Sequence, residues 1–98
     1  MIEIRRTAEF LKFVKYLRDA RASVKIARRI DRLEQGNPGD VKAVGEGISE
    51  MRIDYGPGYR VYFCQRGALL IVLLCGGDKK TQVTDIKLAK KLASEVEI

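Results

Sequence analysis

The run ALLIVLLC at positions 68 to 75 is apolar at eight consecutive positions. Successive strand residues point to opposite faces, so a strand apolar on both faces belongs in the middle of a sheet. Eight residues are also far short of the roughly 20 that a membrane helix requires. The segment before it, MRIDYGPGYRVYF at 51 to 63, alternates: Met51 and Ile53 share one side and Glu50, Arg52 and Asp54 the other. Beyond the Gly-Pro-Gly turn, Tyr59, Val61 and Phe63 share one face, and Arg60, Tyr62 and Cys64 the other. With a second turn at Arg66-Gly67, three consecutive antiparallel strands are expected.

The rest of the chain is read around that meander. IEIR at 2 to 5 alternates as a short half-buried strand does. Thr7 is placed to cap a helix over about 7 to 19, in which Phe10, Phe13, Val14 and Leu17 recur at helical spacing. Ile26, Ala27, Ile30 and Leu33 carry a second helical stripe that should stop near Gln35, before the breaker-rich GNPGD at 36 to 40. Residues through Gly45 and Gly47 read as a loop, and 82 to 96 as a last helix burying Ile86, Ala89, Leu92 and Ala93. The expected fold is a single α+β domain over residues 1–98: an N-terminal strand and helical hairpin, the meander, and a C-terminal helix. All helices are expected on one sheet face, with the other free to bind.

At 98 residues the chain supports one modest core. The sequence has 46% hydrophobic and 33% charged residues, which argues against disorder. The N-terminus lacks an apolar core followed by a small-residue cleavage site, so a cytoplasmic location without membrane contact is expected. Cys64 and Cys75 sit inside apolar runs and read as reduced structural thiols. With no histidine and no close cysteine pair, no metal site or cofactor is expected. The net charge of +6 is concentrated: residues 1 to 35 hold ten Lys/Arg against five Asp/Glu. Lys25, Arg28, Arg29 and Arg32 on the second helix therefore face a polyanion, an acidic protein segment or plain solvent.

Two stretches bear chemistry. Arg52 and Arg60 flank one short turn on neighbouring strands, and Lys79 and Lys80 precede a helix whose N-terminus favours an anion. Together they make a phosphate site, with Tyr55, Tyr59 and Tyr62 as surfaces on which bases stack. The plainer reading is a solvent-facing hairpin with cross-strand Glu50–Arg pairs, solvated lysines and Asp85 as a first-turn helix charge. On the residues alone the plainer reading is slightly preferred.

EMRIDYGPGYRVYF, then the apolar strand, then LLCGGDKKTQVTDI and a short helix resembles the RelE/ParE superfamily of type II toxins, nearest its HigB-like addiction-module branch. The similarity spans essentially the whole chain, and is specific in these two segments and patterned only in the N-terminal helices. It implies a cytoplasmic α+β toxin that enters the ribosome and cleaves mRNA without a metal. It also implies neutralisation by a cognate antitoxin, expected to be of the helix-turn-helix type. In that setting Arg60 stabilises transition-state charge, Arg52 assists or holds a flanking phosphate, and Lys79 and Lys80 bind phosphate or move protons. Glu50 is the candidate base, Gln82 and Asp85 orient RNA or the lysines, and Tyr59 stacks on a base or packs. Several RNA-cleaving relatives use a late histidine or tyrosine, whereas this chain has no histidine and no tyrosine after Tyr62. Two alternatives therefore stand beside the ribonuclease: a ParE-like inhibitor of DNA gyrase, and a non-catalytic antitoxin-binding protein.

Overall fold

A computed structural model describes residues 1–96. The order is β1 (Glu3–Arg6), α1 (Ala8–Lys15), α2 (Ala20–Glu34), β2 (Val41–Gly45), β3 (Ile48–Ile53), β4 (Tyr59–Arg66), β5 (Leu70–Gly77), a 3-10 turn (Lys79–Thr81) and α3 (Gln82–Glu95). The strands form one mixed sheet in the order β1-β5-β4-β3-β2, with β1 parallel to β5 and the other neighbours antiparallel. Leu70 to Cys75 of the apolar run lie within the sheet as their composition demands, whereas Ala68 and Leu69 fall in the exposed turn before β5.

Both faces of the sheet are covered, which corrects the expectation of helices on one face and a free face opposite. Phe10 of α1 and Ile26, Ile30 and Leu33 of α2 pack on Met51, Ile53, Val61, Phe63, Ile71 and Leu73. On the other side Ala89, Leu92 and Ala93 of α3 pack on Ile48, Tyr62, Cys64, Val72, Leu74 and Cys75. From Ile71 to Leu74 β5 thus sends alternate residues into two cores, and a register shift against β4 turns Cys75 to the same side as Leu74. At roughly 25 cal/mol per Å² of apolar surface removed from water, each face needs its own cover.

Helix starts follow local chemistry. The Thr7 hydroxyl accepts from the Phe10 amide, as read from the sequence. The first helix nevertheless ends at Lys15 rather than near residue 19. Asp19 stands in extended backbone and accepts from the Arg21 and Ala22 amides, so it caps a new helix and the chain must break before it. A further correction is β2. The residues read as a loop pair with β3, from Val41 opposite Met51 to Gly45 opposite Ile48. Glu46 and Gly47 between them both take positive φ, as tight hairpin turns require.

Candidate functional site

β3 and β4 place Arg52 and Arg60 directly opposite each other across the ladder. Like charges in such a pair repel, so the surroundings must offset them. The two are handled differently. Arg52 Nη2 donates to Asp40 Oδ1 at 3.0 Å, and its side chain is 40% exposed. Arg60 is 12% exposed, with Nε 3.6 Å from Oε1 of Glu50 and Nη1 donating to the Gly58 carbonyl at 2.7 Å. Gly58 has φ +81, so the turn favours glycine, and a Cβ there would sit close to Arg60 Nη1 at 3.2 Å.

Arg60 also pairs with Gly77 at the end of β5, and the chain then turns over Asp78 into the 3-10 segment. The Asp78 carboxylate accepts from the Lys80 and Thr81 amides, which sets where that segment begins. Lys79 thereby joins Arg52 and Arg60 around a cleft of about 480 Å³, whose other walls include Asp40, Asp54, Pro57 and Tyr59. Among the described residues Asp54 has no cation partner, whereas Asp40 is engaged by Arg52. Two guanidinium groups and an ammonium on one concavity match the oxygens of a phosphodiester.

Glu50 does not line the cleft. It is 0% exposed and lies beneath it, facing α3. Oε2 accepts from the Tyr62 hydroxyl at 3.1 Å and from Gln82 Nε2 at 2.9 Å. Burial, reinforced by the adjacent carboxylate, pushes the Tyr62 hydroxyl well above its ordinary value, so it remains a donor. Glu50, read from the sequence as a candidate base, is thus sealed from solvent and absent from the cleft lining, with Oε1 facing Arg60 Nε.

The remaining candidates divide. Tyr59 is half-buried, walls the cleft and packs against the α1/α2 core. Gln82 turns inward to Glu50. Asp85 accepts from the Thr81 hydroxyl, and burial raises its carboxyl above the ordinary value. Lys80 is exposed and does not line the cleft. Arg29 is not a free cation on the helix surface: its guanidinium donates to the carbonyls of Arg52, Pro38 and Asp40, tying α2 to the cleft rim. Lys25, Arg28 and Arg32 are exposed, and with Arg29 they line a shallow groove that shares Ile53 and Asp54 with the cleft. Lys25 also lies over the Tyr55 ring at 5.3 Å.

Sequence reasoning missed Asp40 and Asp54 as cleft residues. Asp54 was visible within the hairpin motif, immediately before the turn. Asp40 sat in a segment read only as a helix breaker. Cys64 and Cys75 are buried free thiols, and burial pushes Cys75 up to about 12, far from reactivity at neutral pH. Among the described residues no group of His, Cys, Asp and Glu is placed to hold a metal ion, and no helix is long and apolar enough to cross a membrane.

Residues 14–95 match the family described as phage derived protein Gp49-like (DUF891). The chain belongs to this family, which is of the RelE-like toxin type. It is also 52% identical over 95 residues to an uncharacterized protein of Haemophilus influenzae, covering 97% of this chain and 96% of the relative. No solved structure matches it.

Proposed function

We propose that the chain is the toxin of a type II toxin–antitoxin module, of the HigB-like branch, and that it cleaves mRNA on the ribosome. The observation that carries this reading is the convergence of Arg52, Arg60 and Lys79 on one cleft beside the Tyr59 ring. In the reaction a ribose 2′-hydroxyl attacks the adjacent phosphorus, the bond to the 5′-oxygen breaks, and a 2′,3′-cyclic phosphate and a 5′-hydroxyl result. Asp54, the lining carboxylate without a cation partner, takes the 2′-hydroxyl proton. Arg60 and Arg52 stabilise the charge that develops on the phosphorane oxygens. Lys79 gives a proton to the departing 5′-oxygen. Tyr59 stacks on a neighbouring base, and Lys25, Arg28 and Arg32 hold flanking backbone or an acidic segment of the antitoxin.

Induction of the chain followed by mapping of RNA 5′ ends tests this. Cuts in register with codons inside translated messages are expected; intact messages in growth-arrested cells would overturn the reading. The lack of histidine and of any tyrosine after Tyr62 favours one second reading, inhibition of DNA gyrase. That reading requires the purified chain to block supercoiling by gyrase, and unimpeded supercoiling removes it.

A further inference from the structure

Glu50 is the one fully buried charged residue among those described, and it lies under the cleft without lining it. A buried carboxylate is retained only where its neighbours compensate it. Here they do so asymmetrically. Oε2 receives two donors, one from β4 through Tyr62 and one from α3 through Gln82, while Oε1 has no hydrogen bond and faces Arg60 Nε at 3.6 Å. Arg60 Nε is likewise buried without a hydrogen-bond partner.

We infer that Glu50 is a positioning residue for Arg60. The carboxylate is fixed at one oxygen and attracts the Nε edge of the guanidinium with the other, while the Gly58 carbonyl holds Nη1. With Nη1 on the Gly58 carbonyl and Nε facing Glu50, Nη2 is the corner that meets neither among the described residues, and it is the donor left for a ligand. The planar fork makes this effective: fixing two corners of a guanidinium fixes the direction of the third. The 3.6 Å separation is an ion pair short of a hydrogen bond, and such contacts in empty sites tighten when the ligand arrives. Gln82 opens α3, so the C-terminal helix takes part in aiming a cleft arginine from the same face of the sheet. This inference rests on the reading of the cleft as a phosphodiester site.

The test is a double-mutant cycle on E50Q, R60Q and E50Q/R60Q, which keeps side-chain size and removes the charges. Affinity for a fluorescent single-stranded hexanucleotide carrying 2′-deoxyribose at every position is measured by anisotropy, with melting curves as a check of folding. E50Q is expected to weaken binding by about ten- to a hundredfold, the scale on which small misplacements act. The double variant should bind no worse than R60Q, because Glu50 acts only through Arg60. Independent, multiplying losses would overturn the inference. The Arg60 Nε–Hε signal in a 15N NMR spectrum supplies a readout that needs no RNA. It should be sharp and slowly exchanging in the unaltered protein, and broadened in E50Q and, more weakly, in Q82A. An unchanged signal in folded E50Q overturns the inference. Should E50Q not fold, Q82A and Y62F, which loosen the carboxylate but keep its charge, decide by the same signal. Failure of the unaltered protein to bind the hexanucleotide, with the NMR behaviour intact, would instead count against the phosphodiester reading.

Discussion

The two faces of the sheet are built on different principles. Under α1 and α2, every buried side chain in the cluster is a hydrocarbon or phenyl group or the thioether of Met51, and alternation along β3, β4 and β5 delivers them without exception. Under α3 the cover is apolar at one end, from Ile48 to Leu92, but at the cleft end it encloses Glu50, Tyr62 and part of Gln82. A face made only of hydrocarbon tolerates repacking. A face that encloses a carboxylate ties the fold to one arrangement of donors, because an unpaired charge there is costly. The protein thus separates a face that holds it together from a face that aims its cations.

The largest test of that separation is Phe10→Ala. Phe10 is 1% exposed and lies 6.2 Å from the Phe13 ring, so its loss should destabilise the fold by about 3–5 kcal/mol in urea titrations. A loss under about 1 kcal/mol would show that α1 adds little to that face. Next, Arg60→Lys keeps a cation over Glu50 but removes the fork. Cleavage should fall by about 10²–10³-fold with the melting temperature little changed, as measured by single-turnover assay. Undiminished cleavage would deny that the α3 face aims anything. Tyr62→Phe strips one donor from Glu50 Oε2 and should lower stability by about 1–3 kcal/mol, against less than about 1.5 kcal/mol for a volume-conserving change such as Ile71→Leu on the apolar face. Arg52→Ala breaks a half-exposed pair with Asp40, so its stability effect should be no more than about 1 kcal/mol and should fade in high salt, while RNA affinity still drops.

The smallest effect is in pH. Burial holds the Asp85 carboxyl above its ordinary 3.8. A group raised on folding supports the fold below its unfolded value and loses that support as pH rises through its folded value. The stability of the unaltered protein relative to Asp85→Asn should therefore decline as pH rises from below 3.8 through the raised folded value, read from urea midpoints. A rise over that window would mean that the Thr81 hydroxyl outweighs burial.

Much of the apolar face was legible in the sequence, because strand alternation and helical stripes are direct images of burial. Phe10, Ile26, Ile30, Met51 and Phe63 all fall where periodicity puts them. The side taken by α3 was harder: an amphipathic stripe says which face of a helix is buried, not which face of a sheet covers it. Yet ALLIVLLC, apolar on both sides, already required two covers. β2 was hidden because its turn uses Glu46 at positive φ, where glutamate is a poor signal, and because VKAVG buries little. At the cleft, alternation correctly grouped Glu50 with Arg52, and Arg60 with Tyr62. It could not reveal that Glu50 is sealed under α3 while Arg52, two residues on, meets solvent. Arg29 read as one cation among four, and only the approach of the 38–40 loop turns it inward.

The placement of Lys79 and Gln82 after β5 also sets an order of events during synthesis. The hairpin with both arginines is complete by residue 66, but β1 finds its only partner in β5, and Glu50 gains its α3 donor only from residue 82. Chains are made at about 5–20 residues per second, and long-range pairings wait for their later half. A nascent chain therefore carries both arginines for about one to three seconds before Lys79 and Gln82 arrive to complete their surroundings.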